Sequence, residues 1–320
     1  MSSPKKIIAI IGATGGQGGS VANTLLSDPK MTSEWSIRGI TRDASKESSK
    51  KLASRGVEVV TADLNSKESL LAAFKDAYAV FAVTNYWETL DHNLEIQQGK
   101  NLADAALESG VQHYIWSSLL NVNELTHGKL PHVHHFDSKA HIESYIRTTP
   151  LPTTFLLPGF YMSNLPGQSL RPSPYPPNPY TLSMPVPSST PVPLLAPLSD
   201  TGKFLKGILL NRFTTLGKRV LAATKYYTFD ELLEGFKNVF PEAGKDAGYY
   251  EVDRETYLGW MKGAGLPDFA GVELWENMRL LAEGGYYGGE GLEWSLSLVD
   301  EPLTTWEEYI KSSEAFKDLK

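Results

Sequence analysis

Five glycines fall within the eight positions from Gly12 to Gly19, in the run Gly12-Ala13-Thr14-Gly15-Gly16-Gln17-Gly18-Gly19. Glycine permits the backbone angles of a tight turn, and without a Cβ it lets a pyrophosphate approach amide N–H groups at a helix start. The spacing of Gly12, Gly15 and Gly18 is GxxGxxG rather than GxGxxG. With Thr14, Gly16 and Gln17 these residues are the candidate phosphate cradle. An ordinary strand-to-helix turn rarely needs so many glycines.

A second group bears on which dinucleotide is bound. Thr41-Arg42 and Lys46 follow the next apolar stretch, where a site for NAD would carry Asp or Glu to accept from the ribose hydroxyls. A carboxylate there would repel a 2′-phosphate, whereas a guanidinium pairs with it through two hydrogen bonds. The expected cofactor is therefore NADP(H). The plainer reading of Arg42 and Lys46 is that of solvated loop cations.

The elements around these residues must place them at one sheet edge. Lys6–Ile11 reads as a buried strand running into the glycines, and Val21 onward reads as a helix, which is the context a dinucleotide loop requires. Further strands are predicted at Ser36–Thr41, Glu58–Thr61, Ala79–Val83, His113–Trp116 and Thr153–Leu157, with helices between them near 45–55, 66–74, 93–109 and 137–147. Short apolar strands alternating with helices imply an α/β fold with a doubly wound, Rossmann-type parallel sheet. Ligands then bind at the carboxyl ends of the strands. Asp63 and Leu64 follow the third strand, at the expected adenine side. Thr84, Asn85 and Tyr86 follow the fourth, at the expected ribose and nicotinamide side. Tyr161 and Asn164 follow the sixth. A helix-capping role for Asp63 stands beside the adenine reading.

After Pro158 the composition changes. The stretch 165–197 holds Pro172, Pro174, Pro176, Pro177, Pro191 and Pro193, which forbid helix. Alternating Tyr180, Leu182, Met184, Val186 and Val192 favour an extended ordered segment over a disordered linker. Ser199-Asp200 is read as a helix cap, Asn65 with Glu68 and Thr228 with Glu231 as capping boxes, and Gly217–Ala222 as a late strand. The expected division is a nucleotide-binding domain at 1–157 and a smaller, mostly helical domain at 158–320, with segments at about 180–225 returning to the first.

The 320 residues carry a net charge of −7 and no cysteine. That charge opposes duplex DNA binding, which needs a basic stripe. Without cysteine there is no disulfide and no thiolate nucleophile. His132, His134, His135 and His141 with Asp137 invite a metal reading, but no two of these histidines stand four apart and no closing ligand set is evident, so no metal is expected. Met1-Ser2-Ser3-Pro4-Lys5-Lys6 lacks a signal-peptide layout and no apolar run approaches a membrane span, so the cytoplasm is expected, with nuclear entry open.

The glycine loop, Thr41-Arg42, the run 79–88 ending Thr84-Asn85-Tyr86-Trp87-Glu88, His135-Phe136-Asp137-Ser138-Lys139, and the run 157–165 through Pro158-Gly159-Phe160-Tyr161 together resemble the NmrA-like family of atypical short-chain dehydrogenases/reductases, in particular its animal NADPH-sensor branch. The likeness extends to Leu303-Thr304-Thr305-Trp306, while the proline-rich stretch departs from the pattern. It implies a Rossmann fold, NADP(H) binding, and a redox-sensing regulator of partner association or transcription. A short-chain dehydrogenase uses Ser, Tyr and Lys, with Tyr four residues before Lys. Ser117 or Ser118 ends the fifth strand where the serine belongs, Lys139 takes the lysine position, and His135 stands where the tyrosine should. Imidazole can donate a proton. Two functions follow: a sensor whose conformation, protein partner or homodimer state responds to NADP(H), or an NADPH-dependent reductase of a small carbonyl, imine or enone.

Overall fold

Strand β1 (Lys6–Ile11) sends alternate residues to opposite sides. Ile8 and Ile10 join one apolar core, with Val21 and Leu25 of the helix Gly16–Ser27, while Ala9 and Ile11 join the other, with Leu102 and Ile142. A strand buried on both faces needs helices on both faces, and this alternation builds the layers. The structure, a computed structural model, describes residues 4–174 and 177–320. Met1, Ser2, Ser3 and Pro176, cited above, lie outside the described residues.

The remaining strands are β2 (Trp35–Thr41), β3 (Glu58–Thr61), β4 (Ala77–Ala82), β5 (His113–Ser117), β6 (Thr153–Pro158), β7 (Phe160–Tyr161), β8 (Leu170–Pro172), β9 (Tyr180–Met184), β10 (Pro191–Leu195), β11 (Arg219–Ala222), β12 (Lys225–Thr228) and β13 (Gly248–Glu251). Seven of them form a parallel sheet in the order β11-β6-β5-β4-β1-β2-β3. The order reverses between β1 and β4, which opens a crevice at their carboxyl ends. Two three-stranded sheets, β12-β10-β7 and β13-β9-β8, lie in the second half beside helices that include Arg254–Gly263 and Asp268–Glu283.

The proline-rich stretch supplies β8, β9 and β10, with Leu170, Leu182, Met184, Val192 and Leu194 buried in the core. Pro191 and Pro193 are tolerated because β7 pairs with β10 only at Leu194 and Leu195, beyond the residues that lack an N–H.

Several boundaries differ from the sequence reading. Ser199-Asp200 does not cap a helix: the helix begins at Pro197, and Asp200 is buried in its first turn, accepting from Thr304 N at 2.9 Å and Lys203 Nζ at 2.8 Å. Ser66, not Asn65, caps the helix Lys67–Phe74 by accepting from Ser69 N, and Asp91 caps the helix His92–Glu108. The box of Thr228 and Glu231 forms as expected.

The helix Pro197–Leu210 lies across the helix Gly16–Ser27. Gly202 makes this possible, since a Cβ there would come 2.4 Å from Ser20 O, and Gly202 N donates to Ser20 Oγ at 3.0 Å. Phe204, Leu205 and Ile208 beneath it are fully buried, each contributing roughly 1.5–3 kcal/mol. Arg38 fastens the opposite side, donating to Glu58 at 2.8 Å and to the carbonyls of Ala73 and Lys75 at 3.0 and 2.6 Å.

His113 in β5 is fully buried, bonded through Nε2 to Thr154 Oγ1 at 2.9 Å, with no partner for Nδ1. Burial lowers its pKa from 6.5 to about 3, with Arg212 adding repulsion. In that window the unfolded chain binds a proton that the folded chain does not, so stability falls as pH drops from 6.5 towards 3, by up to about 1.4 kcal/mol per pH unit. Urea titrations across this range should show the decline, with a shallower slope for His113→Asn. An equal slope would assign the acid sensitivity to other groups.

Candidate functional site

The glycine loop leaves β1 at the crevice. Gly12 has φ +64° and its N–H donates to Ile40 O at 3.1 Å, while its carbonyl accepts from Gly15 N at 2.8 Å. Gly15 is the N-cap residue of the helix Gly16–Ser27, with no side-chain cap and no acidic residue in the first turn. Uncapped amides and the positive end of the helix dipole together favour an anion. The glycines differ in what they do. At Gly18 a Cβ would lie 2.3 Å from Gly12 O, so this residue lets the helix pack on the strand end. At Gly16 the nearest atom to a Cβ would be Leu198 Cδ2, at 4.0 Å, so its bareness serves the cleft rather than the packing.

The cleft is a cavity of about 760 Å³. It is lined by Gly12, Thr14, Gly15, Gly16, Gln17 and Gly18 from the loop, and by Thr41 and Arg42 at the end of β2. Asp63 and Leu64 follow β3, and Thr84, Asn85 and Tyr86 follow β4. His135, Lys139, Tyr161 and Asn164 complete the sequence-derived set. Lys46 and Ser117 do not line it. Lys46 is exposed at the N-cap of the helix Glu47–Ala53.

At the far end Arg42 is ion-paired with Glu88, both largely solvated. Such a pair is worth about 0–1 kcal/mol, so the guanidinium is readily redirected. Beside it Thr41 Oγ1 is buried without a hydrogen-bond partner. Asp63 is committed locally, accepting from Asn65 N at 2.9 Å and Asn65 Nδ2 at 3.0 Å. The bare glycine turn, the uncapped helix end and the orphaned Thr41 hydroxyl beside Arg42 fit a phosphorylated dinucleotide.

Ser117 acts at one remove. Its Oγ donates to Gln17 Oε1 at 2.9 Å, and Gln17 Nε2 donates to Tyr161 OH at 2.8 Å. Tyr161 thus accepts a hydrogen bond and keeps its own proton unengaged by the chain. Burial pushes its pKa up to about 12, against a small downward pull from Gln17. Ser118, the other candidate, donates to buried Glu143 at 2.6 Å.

Lys139 lies buried on the helix His134–Arg147. Its Nζ pairs with Glu95, and Thr84 Oγ1 donates to the same carboxylate at 2.6 Å, joined by Ser138. Glu95 thus matches the lysine charge where solvent cannot. His135 faces Glu273 of the helix Asp268–Glu283, which accepts from its backbone N at 2.8 Å and bonds Nδ1 at 2.6 Å. Tyr86 OH donates to the other oxygen of Glu273 at 2.7 Å. Burial lowers the His135 pKa despite the opposing carboxylate. Glu273 stays ionised: burial pushes its pKa up, but its donors outweigh this. The imidazole is therefore neutral at pH 7, with Nδ1–H towards Glu273, because a carboxylate can only accept.

His132 is held in the same manner by Glu276, at 2.8 Å from N and 2.7 Å from Nδ1. His134 and His141 lie beside His92, ring centroids 5.6 and 5.5 Å away. Asp137 accepts from Val122 N at 2.7 Å. No group of three or more potential metal ligands converges among the described residues.

Sequence reasoning missed Trp87, Glu88, Leu94, Gln98, Phe160, Asn277 and Tyr286 in the cleft wall, and the partners Glu95 and Glu273. Leu94 and Gln98, like Glu273 and Asn277, stand four apart on one helix face; that spacing was the available signal.

The NmrA-like family pattern matches residues 4–310. The chain belongs to the NmrA-like family. A curated NmrA-like oxidoreductase, FrzB of Cladobotryum sp, is 32% identical over 306 residues, covering 90% of this chain and 88% of its own. Another, lnaB of Aspergillus flavus, is 30% identical, covering 92% and 89%. The Citrobacter triphenylmethane reductase complexed with NADP(H) superposes with a TM-score of 0.73 at 26% identity, covering 95% of this NmrA-like chain and 98% of the reductase. NmrA, a negative transcriptional regulator, in complex with NADP gives 0.79 at 21% identity, over 99% and 97%, a likeness of fold. No helix among the described residues is long and apolar enough to cross a membrane.

The two glycines separate under mutation. Gly16→Val should keep the melting temperature and weaken NADPH binding in calorimetric titration. Gly18→Ala should lower stability by about 1–3 kcal/mol, since backbone cannot yield to the added carbon. A Gly16→Val protein that binds NADPH as the unmodified chain does would place the phosphates away from the helix end.

Proposed function

We propose that this chain is an NADP(H)-dependent oxidoreductase that reduces a small neutral carbonyl, imine or enone. One observation carries the reading: the cleft continues beyond the glycine cradle to Tyr161, a phenol held as an acceptor by Gln17 with its own proton free. The loop amides and Gln17 would hold the pyrophosphate side, Arg42 and Thr41 the 2′-phosphate, and Lys139 a ribose hydroxyl. NADPH, when bound, would supply the hydride for an electrophilic carbon and so become NADP⁺. The substrate heteroatom takes the Tyr161 proton. The phenolate left behind is stabilised by the Gln17 N–H and regains a proton from water. His135, neutral and turned to Glu273, is poorly placed to donate at pH 7, so its role becomes that of a wall. Relatives named as oxidoreductases support this reading.

A sensor reading has its own supporting observation. His132 and His135 are tied to Glu276 and Glu273 by four hydrogen bonds between the helix Asp268–Glu283 and the segment ahead of Lys139. A cofactor that disturbs them would alter how these segments seat, and a protein partner, a homodimer interface or a nuclear role would read that change.

Cofactor choice is tested at Arg42. Arg42→Ala should weaken NADPH binding by an amount equivalent to about 1–3 kcal/mol and leave NADH unchanged. Equal affinity of the unmodified chain for the two cofactors would count against NADP(H). Turnover is tested by NADPH oxidation with a panel of aromatic aldehydes, imines and enones. Tyr161→Phe should reduce the rate by about a hundredfold or more with NADPH binding retained. Activity unaffected by Tyr161→Phe removes the proposed donor. If no acceptor consumes NADPH while hydrogen exchange at 127–135 slows on its addition, the sensor reading replaces the reductase.

A further inference from the structure

The helix Asp268–Glu283 contributes to the lining of the cleft. Asn277 lies one turn beyond Glu273 on that helix, more than nine-tenths buried, and its Nδ2 has no hydrogen-bond partner. Asn277 is among the residues that line the cavity. A buried amide without a partner costs about 1–3 kcal/mol and is uncommon in folded proteins, so the residue is explained by a ligand that completes it.

The surroundings state what that ligand is. Trp87, His135, Phe136 and Tyr286 also line it, with ring centroids 4.8 Å apart for Trp87 and His135, 5.0 Å for His135 and Phe136, and 5.4 Å for Phe136 and Tyr286. Two phenols nearby are taken: Tyr86 OH donates to Glu273, and Tyr286 OH to Pro158 O at 3.3 Å. The charges nearby are matched, Lys139 by Glu95 and Glu273 by its donors. Aromatic faces, paired charges, the free Tyr161 proton and the unpartnered Asn277 amide select a flat, uncharged molecule with an acceptor.

We infer that Asn277 anchors the substrate, donating a hydrogen bond to the carbonyl oxygen or imine nitrogen of a neutral, planar aromatic compound held among these rings. The inference rests on the reductase reading and names its substrate class.

The test uses NADP⁺-loaded full-length protein, which cannot turn over, and three probes followed by calorimetry: 9-fluorenone, fluorene, which has the same shape without the carbonyl, and fluorenone-2-carboxylate, which adds charge. The unmodified chain should bind fluorenone best. Asn277→Leu should weaken fluorenone binding by about tenfold, leave fluorene unchanged and leave NADP⁺ binding unchanged. Because it removes an unpartnered polar group, the same variant should melt at or above the temperature of the unmodified chain; a structural asparagine would give a loss. Fluorenone failing to bind, binding no better than fluorene, or binding equally to Asn277→Leu overturns the inference. So does a variant that loses NADP⁺, since the amide then serves the cofactor. Fluorenone binding that depends on Asn277, without NADPH oxidation by any acceptor, leaves the subsite standing and removes the reductase reading. Turnover of another substrate class, indifferent to Asn277→Leu, does the reverse.

Discussion

Contact between the helix Gly16–Ser27 and the end of β1 sets the position of nearly everything else. Gly18 meets the Gly12 carbonyl where no other residue has room. That approach aims the uncapped helix end at the crevice and brings Gln17 within reach of both Ser117 and Tyr161. It also sets the height at which the helix Pro197–Leu210 can lie across it, again through a glycine, Gly202. Backbone-to-backbone packing of this kind leaves little play, and a site that must hold a ligand within fractions of an ångström benefits from it.

Electrostatics is handled differently. Lys139 in the cleft and two buried glutamates behind it are each balanced inside the protein. Glu95 collects Lys139, Thr84 and Ser138; Glu273 collects His135 and Tyr86. Truncating one member of such a set leaves an uncompensated charge, which costs more than the pair is worth. The result is a cavity whose surface around Trp87, His135 and Tyr286 is aromatic with little net charge, in contrast to the anion-seeking glycine loop.

Much of this was legible in the sequence because it is local. A strand, a glycine turn and a helix lie within about twenty residues, and each names its own role by composition. The alternation of apolar runs and helices foretold the parallel sheet, and the missing acid near Arg42 was visible as a type and a position. The helix starts were less legible, since Asn65, Ser66, Ser199 and Asp200 are all good capping residues and only the geometry shows which one caps. The partners were not legible. Glu95 and Glu273 are charged residues on helices, and their burial depends on segments 44 and 138 residues away. Gln17 was read as part of the cradle, yet its link to Ser117 spans 100 residues and has no sequence signature.

β11 is a short strand with a long reach. Its residues Arg219–Ala222 come after the proline-rich sheets, yet they pair with β6 in the main sheet. The polypeptide therefore builds six strands of the main sheet, leaves to form β7 to β10, comes back to add β11 and leaves again for the helix that carries Asn277. Interleaving of this sort ties the two halves of the chain into one folding unit. Neither can be exchanged as a cassette, and new ligand preferences in such a scaffold must arise by substitution within the halves rather than by transplanting one of them.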